Sequence, residues 1–113
     1  MKIEDVAWLA GLLEGEGSFM MSRSTVAGKV YYYPKIVVCM TDKDVVERAA
    51  LLLSNNSVYR VPLSKNGVSK KLQYRAQVSG IKAALLMKEL LPLMGERRSA
   101  KIQEVLDAYE NGS

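Results

Sequence analysis

Glu16 is the residue of this sequence best placed to do chemistry. It stands near the glycine-rich end of an apolar stretch, residues 8–17, with the sequence WLAGLLEGEG. Ala7, Gly11 and Gly15 recur at helical spacing and form a stripe of small residues, against which a second helix can approach closely. If a second copy of the helix packs there, two Glu16 carboxylates meet. Because like charges repel, that arrangement requires either a divalent cation between the two carboxylates or a proton on one of them, and it indicates a metal site.

The composition excludes several other kinds of catalytic site. The 113 residues include no histidine and a single cysteine, Cys39. Histidine-based triads and histidine–metal sites are therefore excluded, and one cysteine does not make a structural zinc site. Any metal should be a hard cation bound through oxygen atoms.

The same composition predicts where the protein works. Cys39 cannot form an internal disulfide and stands in an apolar run, so we expect a buried thiol in a reducing compartment inside the cell. No apolar run approaches membrane-spanning length, and acids occupy the N-terminal segment where a secretory signal would be basic and then apolar. We therefore predict a protein that is not secreted and has no membrane partner.

Further elements must hold the helix that carries Glu16, which is predicted from about residue 3 or 4 to residue 15. Hydrophobic periodicity and turn signals predict one domain spanning residues 1–113, of the α+β class. The next helix is predicted to begin with Thr41 as its N-cap and to bury Val45, Ala49, Leu52 and Leu53. The other predicted elements are strands 18–26, 30–40, 58–64 and 70–78, turns 27–29 and 65–67, and helices 81–91 and 96–109.

Alternation along the strands predicts a sheet with one apolar and one polar face. Phe19, Ile36 and Val38 belong to the apolar face, and Leu72, Tyr74, Ala76 and Val78 continue it on the fourth strand. The polar face is predicted to bind nucleic acid through Ser18, Met20, Ser22, Ser24, Tyr31, Tyr33, Lys35, Val37, Lys71, Gln73, Arg75 and Gln77, joined by Arg60 and Ser64 from the third strand.

Charge segregation favours the nucleic-acid interpretation. The net charge is +4, and no acid occurs from residue 17 to 41 or from residue 48 to 88. Because these stretches include the predicted strands, the polar face should attract a polyanion. Taken singly, the same side chains are equally compatible with the solvated face of an antiparallel sheet.

Residues 9–17 resemble the LAGLIDADG motif of the homing endonucleases, with glutamate at both aspartate positions, and the match continues through Ser18 and Phe19. The resemblance implies an αββαββα domain with one further helix, whose curved antiparallel sheet binds double-stranded DNA. It also implies that motif helices pair at the interface of a homodimer. The residues expected at that interface are Ala7, Trp8, Gly11, Leu12 and Gly15.

The resemblance further implies a catalytic arrangement. Glu16 from each subunit, with a backbone carbonyl such as that of Gly15, would bind Mg²⁺, for which Mn²⁺ or Ca²⁺ can substitute in binding. Arg97 or Arg98 fits the place of a basic residue near the cleaved phosphate, although ordinary surface charge explains both equally well. Asp42 lies where the family positions water, or it is only a helix cap. Glu14 is expected to be structural.

Three functions follow from these patterns. The first is a homodimeric, Mg²⁺-dependent endonuclease that cuts a long palindromic or near-palindromic site, with no protein partner besides its own copy. The second is a DNA- or RNA-binding protein of the same fold that does not cleave, such as a maturase or regulator. The third is a structural dimer whose basic surface is incidental. Cleavage that depends on Glu16 would separate the first from the second.

Overall fold

The computed structural model describes residues 1–53, 58–61 and 72–112, and in these ranges it confirms the predicted α+β order. Two successive helix–strand–strand units are followed by two more helices, and a 3-10 turn at Leu91–Leu93 separates these two helices. The elements are α1 (Ile3–Glu16), β1 (Gly17–Val26), β2 (Lys29–Met40), α2 (Lys43–Leu52), β3 (Tyr59–Val61), β4 (Gln73–Ser79), α3 (Ile81–Leu90) and α4 (Glu96–Gly112). The predicted turn at 65–67 lies outside the described residues. None of the described helices has the length and apolar content needed to cross a bilayer.

The four strands form one antiparallel sheet in the order β1-β2-β4-β3. β2 and β4 are central, and β1 and β3 are the edges. In the register, Gly17 lies opposite Val38, and Val38 also lies opposite Ala76. The start of the edge strand β1 therefore lies level with the middle of β4 and close to the C-terminal end of β2.

The helices cover one face of this sheet. Phe19, Ile36, Val38, Ala76 and Val78 alternate along their strands and are buried beneath helical side chains. The helices contribute Leu9, Leu13, Ala49, Met87, Leu90, Ile102, Val105 and Leu106 to this core. The predicted apolar face is confirmed on β1, β2 and β4.

We call the opposite face of the sheet the open face, because none of its described residues is buried. It contains no aspartate or glutamate among the described residues, as the charge pattern predicted. Its members are Ser18, Met20, Ser22, Ser24, Tyr31, Tyr33, Lys35, Val37, Cys39, Tyr59, Val61, Gln73, Arg75, Gln77 and Ser79.

The start of α2 differs from the prediction. Asp42, rather than Thr41, is the N-cap, and its side chain makes no capping hydrogen bond. The buried stripe also includes Val46 and Ala50, whereas Val45 is only half-buried. Alanine at both 49 and 50 allows the helix to pack closely on the sheet with this rotated face inward.

The junction of α1 and β1 contains no loop. Glu16 is the last residue of α1 and Gly17 is the first of β1, and the Gly17 N–H donates to the carbonyl of Leu13. A Cβ placed on Gly17 would lie 2.8 Å from the Leu13 carbonyl oxygen and 2.9 Å from the Leu13 Cα. Both are backbone atoms, so a side chain cannot be accommodated by a rotamer change. The sharp passage from helix to strand therefore requires glycine at position 17.

The β1–β2 hairpin closes with a two-residue turn. Ala27 has φ 52° and Gly28 has φ 81°, so both central residues are in the left-handed region, as in a type I′ turn. An alanine in this region is strained by roughly 1–2 kcal/mol, whereas asparagine tolerates it. The turn lies where it was predicted, but its first residue, Ala27, is not one that favours positive φ.

We expect Ala27→Asn to stabilise the protein by roughly 1 kcal/mol, because the resulting Asn-Gly pair is the preferred type I′ sequence. Thermal unfolding of the two proteins measures the difference. Thr25→Asn, at an exposed position of β1 with ordinary backbone angles, is the matched control and should give no gain. A gain at Thr25 equal to that at Ala27 would contradict the turn geometry.

We expect Gly17→Ala to destabilise the fold by about 1–3 kcal/mol, the usual cost of overpacking, because its Cβ would press on the Leu13 backbone. Urea unfolding at a concentration where the chain is monomeric measures this. Gly11→Ala is the control, since a Cβ there meets no atom within 4 Å and alanine favours a helix. Equal effects of the two substitutions would exclude the steric explanation.

Candidate functional site

Glu16 occupies an exposed position at the C-terminal end of α1. Its position relative to the sheet is fixed, because the next residue already belongs to β1 and is buried. Ser18, the first open-face residue of β1, lies two residues beyond Glu16. The structure therefore places an exposed carboxylate at the end of α1, two residues before the first residue of the open face.

The small-residue stripe of α1 is uncovered in the single chain. Ala7, Gly11 and Gly15 are all exposed, and a Cβ on either glycine would meet no atom within 4 Å. Glycine inside a helix costs roughly 1 kcal/mol relative to alanine. No contact within the described chain compensates for that cost. The stripe therefore has the geometry of a surface left open for another helix.

The two larger residues predicted for the same interface are already partly used within the chain. Trp8 and Leu12 are half-buried and pack against the core. The guanidinium of Arg48 on α2 lies 4.1 Å from the centroid of the Trp8 ring and also contacts the Asp5 carboxylate at 3.6 Å. This arrangement tethers α1 to α2 and leaves only part of Trp8 and Leu12 accessible to a partner.

The start of α4 is bonded directly to the end of α1. The Glu14 carboxylate accepts a hydrogen bond from the Gly95 N–H at 2.5 Å. In the other direction, Arg98 donates from Nε to the carbonyl of Glu14 at 3.1 Å and from its terminal nitrogen to the carbonyl of Gly17. We call these four residues, Glu14, Gly17, Gly95 and Arg98, the α1–α4 clamp. Glu14 therefore has a structural role, in agreement with the prediction.

The two candidate arginines differ in their surroundings. Arg98 is half-buried and bonded to α1, whereas Arg97 is exposed. Both line a cleft of about 420 Å³ between α4 and the start of β1. Its lining residues are Ser18, Phe19, Arg97, Arg98, Ala100, Lys101 and Glu104. The Nζ atom of Lys101 also lies 3.6 Å from the Oε2 atom of Glu104. Arg97 and Lys101 thus place positive charge beside the strand that follows Glu16.

Asp42 is not brought to this cleft. Gly17 lies opposite Val38 on β2, and Asp42 follows Val38 by four residues. At about 3.3 Å per strand residue, that separation is roughly 13 Å along the chain. The Asp42 carbonyl accepts the Val46 N–H at 3.1 Å and so begins α2. This position favours the alternative in which Asp42 is a helix cap, formed by its backbone.

The open face carries most of the predicted contact residues, with one correction. Arg60 lies opposite Tyr74, which is on the helix-covered side of the sheet, so the prediction that Arg60 joins Gln73 and Arg75 is wrong. Tyr59 and Val61 of β3 occupy the open face instead, because they lie opposite Arg75 and Gln73. Ser64 and Lys71 lie outside the described residues.

Two side-chain contacts connect the open-face residues of β2, β3 and β4. The guanidinium of Arg75 lies 5.8 Å from the centroid of the Tyr59 ring. The Cys39 thiol donates to the side-chain oxygen of Gln73 at 3.3 Å. Cys39 is half-buried, so the expected fully buried thiol is not observed. The apolar run around it misled the prediction, because β2 buries only alternate residues.

The described part of one chain does not by itself contain a complete metal site. Among the described residues, no group of three or more aspartate, glutamate, cysteine or histidine side chains could hold an ion. Glu16 offers carboxylate oxygens and Gly15 a carbonyl oxygen, which are donors suited to Mg²⁺ or Ca²⁺. These oxygen atoms are the type of ligand that a hard divalent cation prefers, but these two residues of one chain offer few of them. A second Glu16 would be needed to complete the ligand set.

Gly95 and Lys101 were not predicted to belong to this region, and Arg98 was predicted only as a possible phosphate ligand, without its bonds to the end of α1 and the start of β1. The Gly95 N–H and the Arg98 guanidinium contact α1 across more than eighty residues, a relation that no local pattern reports. Lys101 was also missed, although its spacing from Arg97 puts both on one face of α4. The only local sign of these contacts was Glu14, an acid in an apolar helix whose carboxylate needs a hydrogen-bond donor.

No family model and no curated protein matches this sequence. The fold, in contrast, matches solved structures of homing endonucleases. The homing endonuclease I-CvuI, in complex with its target in the presence of Ca, has a TM-score of 0.70 and 18% identity over 96% of this chain and 69% of its own. For the homing endonuclease I-TnaI, the TM-score is 0.67 and the identity 14%, over 95% of this chain and 74% of that one.

A longer protein gives the same result. The LAGLIDADG homing endonuclease I-LtrWI, bound to target DNA, has a TM-score of 0.68 and 17% identity over 98% of this chain and 39% of its own. The likeness thus extends over nearly the whole of the present chain, including the helix with Glu16 and the open sheet. The chain has the LAGLIDADG homing-endonuclease fold, which confirms the resemblance indicated by residues 9–17.

Proposed function

We propose that this protein is a site-specific DNA endonuclease that acts as a homodimer and depends on Mg²⁺. The observation that carries the proposal is the position of Glu16, an exposed carboxylate between an uncovered helix stripe and a sheet face without acids. The solved structures of I-CvuI with its target and of I-LtrWI with target DNA support the choice of substrate.

DNA would bind along the open face. A two-stranded antiparallel ribbon fits the major groove, and Gln73, Gln77 and Arg75 have side chains that hydrogen-bond base edges or phosphates. Lys35 and Tyr33 extend this surface on the neighbouring strand, with the serines of β1 at its margin. The absence of described carboxylates from the face removes the repulsion that would otherwise oppose binding of a polyanion.

The second subunit would dock on the small-residue stripe of α1. A two-fold axis there would bring two Glu16 carboxylates together at the ends of the paired helices and align two open faces along one duplex. Because protein symmetry is mirrored in the site, the target should be a palindrome or near-palindrome. Dimerisation would thus complete both the DNA-binding surface and the carboxylate pair.

Glu16 and the Gly15 carbonyl would hold the divalent cation. The chemistry that such an ion supplies when bound is activation of water and stabilisation of negative charge on the scissile phosphate. Arg97, with Lys101, would bind that phosphate from the cleft beside β1. Arginine stays protonated, so Arg97 would contribute charge and orientation and would not transfer a proton.

We expect the wild-type protein with Mg²⁺ to cut a randomised palindromic duplex library at ends that share one symmetric motif, and EDTA to abolish cutting. Glu16→Gln should lower cleavage by about 100-fold or more, since it removes the anionic ligand, and should leave binding to the selected duplex intact. Sequencing of the cut ends measures cleavage, and a gel-shift assay measures binding to the selected duplex. Salt-sensitive retention without cut ends would favour the non-cleaving DNA-binding protein, and unreduced cutting by Glu16→Gln would refute the role of Glu16.

We expect Gly11→Leu to weaken dimerisation by at least about tenfold, because bulk on the stripe prevents close approach of two helices. The variant should still fold, since position 11 has open space around it in the single chain. Sedimentation velocity and circular dichroism measure the two effects. Ala108→Leu, which also introduces a leucine at an exposed position of a helix, in this case α4, is the control. A Gly11→Leu protein that dimerises like the wild type would place the interface elsewhere.

A further inference from the structure

We propose that Arg98 is a positioning residue for Glu16 and does not contact the phosphate, a role that rests on the proposed metal-dependent cleavage. Arg98 donates to the carbonyls of Glu14 and Gly17, the residues on either side of the Gly15–Glu16 pair. Both ends of that pair are thereby fixed to the first turn of α4. Neither bond uses the Gly15 carbonyl, the atom proposed to join Glu16 in binding the cation.

The end of α1 needs such support. The last turn of a helix has carbonyls without intrahelical partners, and α1 has no basic residue there to offset its dipole. Gly15 is exposed and has no side chain, so it adds no lateral contact. Arg98 supplies from α4 the cation and the donors that α1 lacks. Without it, the end of the helix should fray at the two residues proposed to bind the metal.

The α1–α4 clamp also includes a hydrogen bond in which a side chain of α1 accepts from the backbone at the start of α4. The Glu14 carboxylate accepts the Gly95 N–H at the N-terminus of α4, where a negative charge is favourable. The single hydroxyl proton of Ser99 is shared between the carbonyls of Leu91 and Met94, which lie 3.0 and 3.1 Å from the Ser99 oxygen. The first turn of α4 is therefore a fixed platform. Arg98 is held on that platform while its neighbour Arg97 remains exposed in the cleft.

Only arginine suits this position. The guanidinium presents several N–H groups in a rigid fork and can reach two carbonyls at once, whereas the ammonium of lysine is a compact point charge on a flexible stem. Lysine could thus restore the charge without restoring both bonds. This difference separates positioning from a general electrostatic effect.

The test compares Arg98→Gln, Arg98→Lys and the neighbouring Arg97→Gln by amide hydrogen exchange of the metal-free protein. We expect Arg98→Gln to raise the exchange rates of residues 15–18 about tenfold or more, because charge-assisted hydrogen bonds are lost. Arg98→Lys should give an intermediate increase. Arg97→Gln should leave these amides unchanged, and all three should leave α3 as protected as in the wild type. This readout requires no cleavage, so it decides the role of Arg98 even if the proposed endonuclease activity fails.

The second readout is the Mg²⁺ concentration for half-maximal cleavage. Residues that orient metal ligands typically change metal affinity by about 10–100-fold, so we expect a shift of at least tenfold in Arg98→Gln and a smaller one in Arg98→Lys. DNA binding in Ca²⁺ should change less than cleavage. Unchanged exchange at residues 15–18 would overturn the proposal. Exchange raised equally throughout the chain would also overturn it, since Arg98 would then be a general stabilising residue.

Discussion

The direct passage from α1 into β1 is the constraint on which the rest of this structure depends. Gly17 closes the helix by donating to Leu13 and at once pairs with Val38 in the sheet. With no loop between the two elements, the end of α1 cannot turn independently of the open face. An exposed carboxylate at position 16 therefore has a fixed relation both to the small-residue stripe and to the surface proposed for DNA. The α1–α4 clamp reinforces this relation from a second direction.

The separation of charge from apolar surface follows from the same arrangement. The helices cover the part of one side of the sheet that contains Phe19, Ile36, Val38, Ala76 and Val78, and the buried side chains of β1, β2 and β4 are apolar or proline. The carboxylates of the described chain lie on helices or beside their ends, and none lies on the alternate residues that form the open face. A polyanion approaching the open face meets lysine, arginine, glutamine, serine and tyrosine. Because this selectivity comes from the strand period of two, a one-residue change of register would destroy it.

The elements and most of the faces were predictable because each depends on local periodicity. The end of α1, the hairpin turn at Ala27 and Gly28, and the alternating burial along β4 all follow from short patterns. Arg60 was assigned to the wrong face because its orientation is set by pairing with Tyr74, a register that the local sequence does not report. The role of Arg98 was not predictable either, since its partners, Glu14 at the end of α1 and Gly17 at the start of β1, lie 84 and 81 positions away. Local sequence predicts which residues face a surface, but not which distant groups hold them.

The cost of the glycines supports the proposal that the single chain forms half of a site. Gly17 is required by contacts within the chain, whereas Gly11 and Gly15 lower helix stability and gain nothing from their own chain. Two such exposed glycines, with Ala7 in line, weaken the helix that carries the key carboxylate. Close packing of a second helix would offset that cost, because only small residues allow the backbones to approach. The same packing would supply the second carboxylate that an oxygen-bound cation requires, so stability and chemistry would be completed in one step.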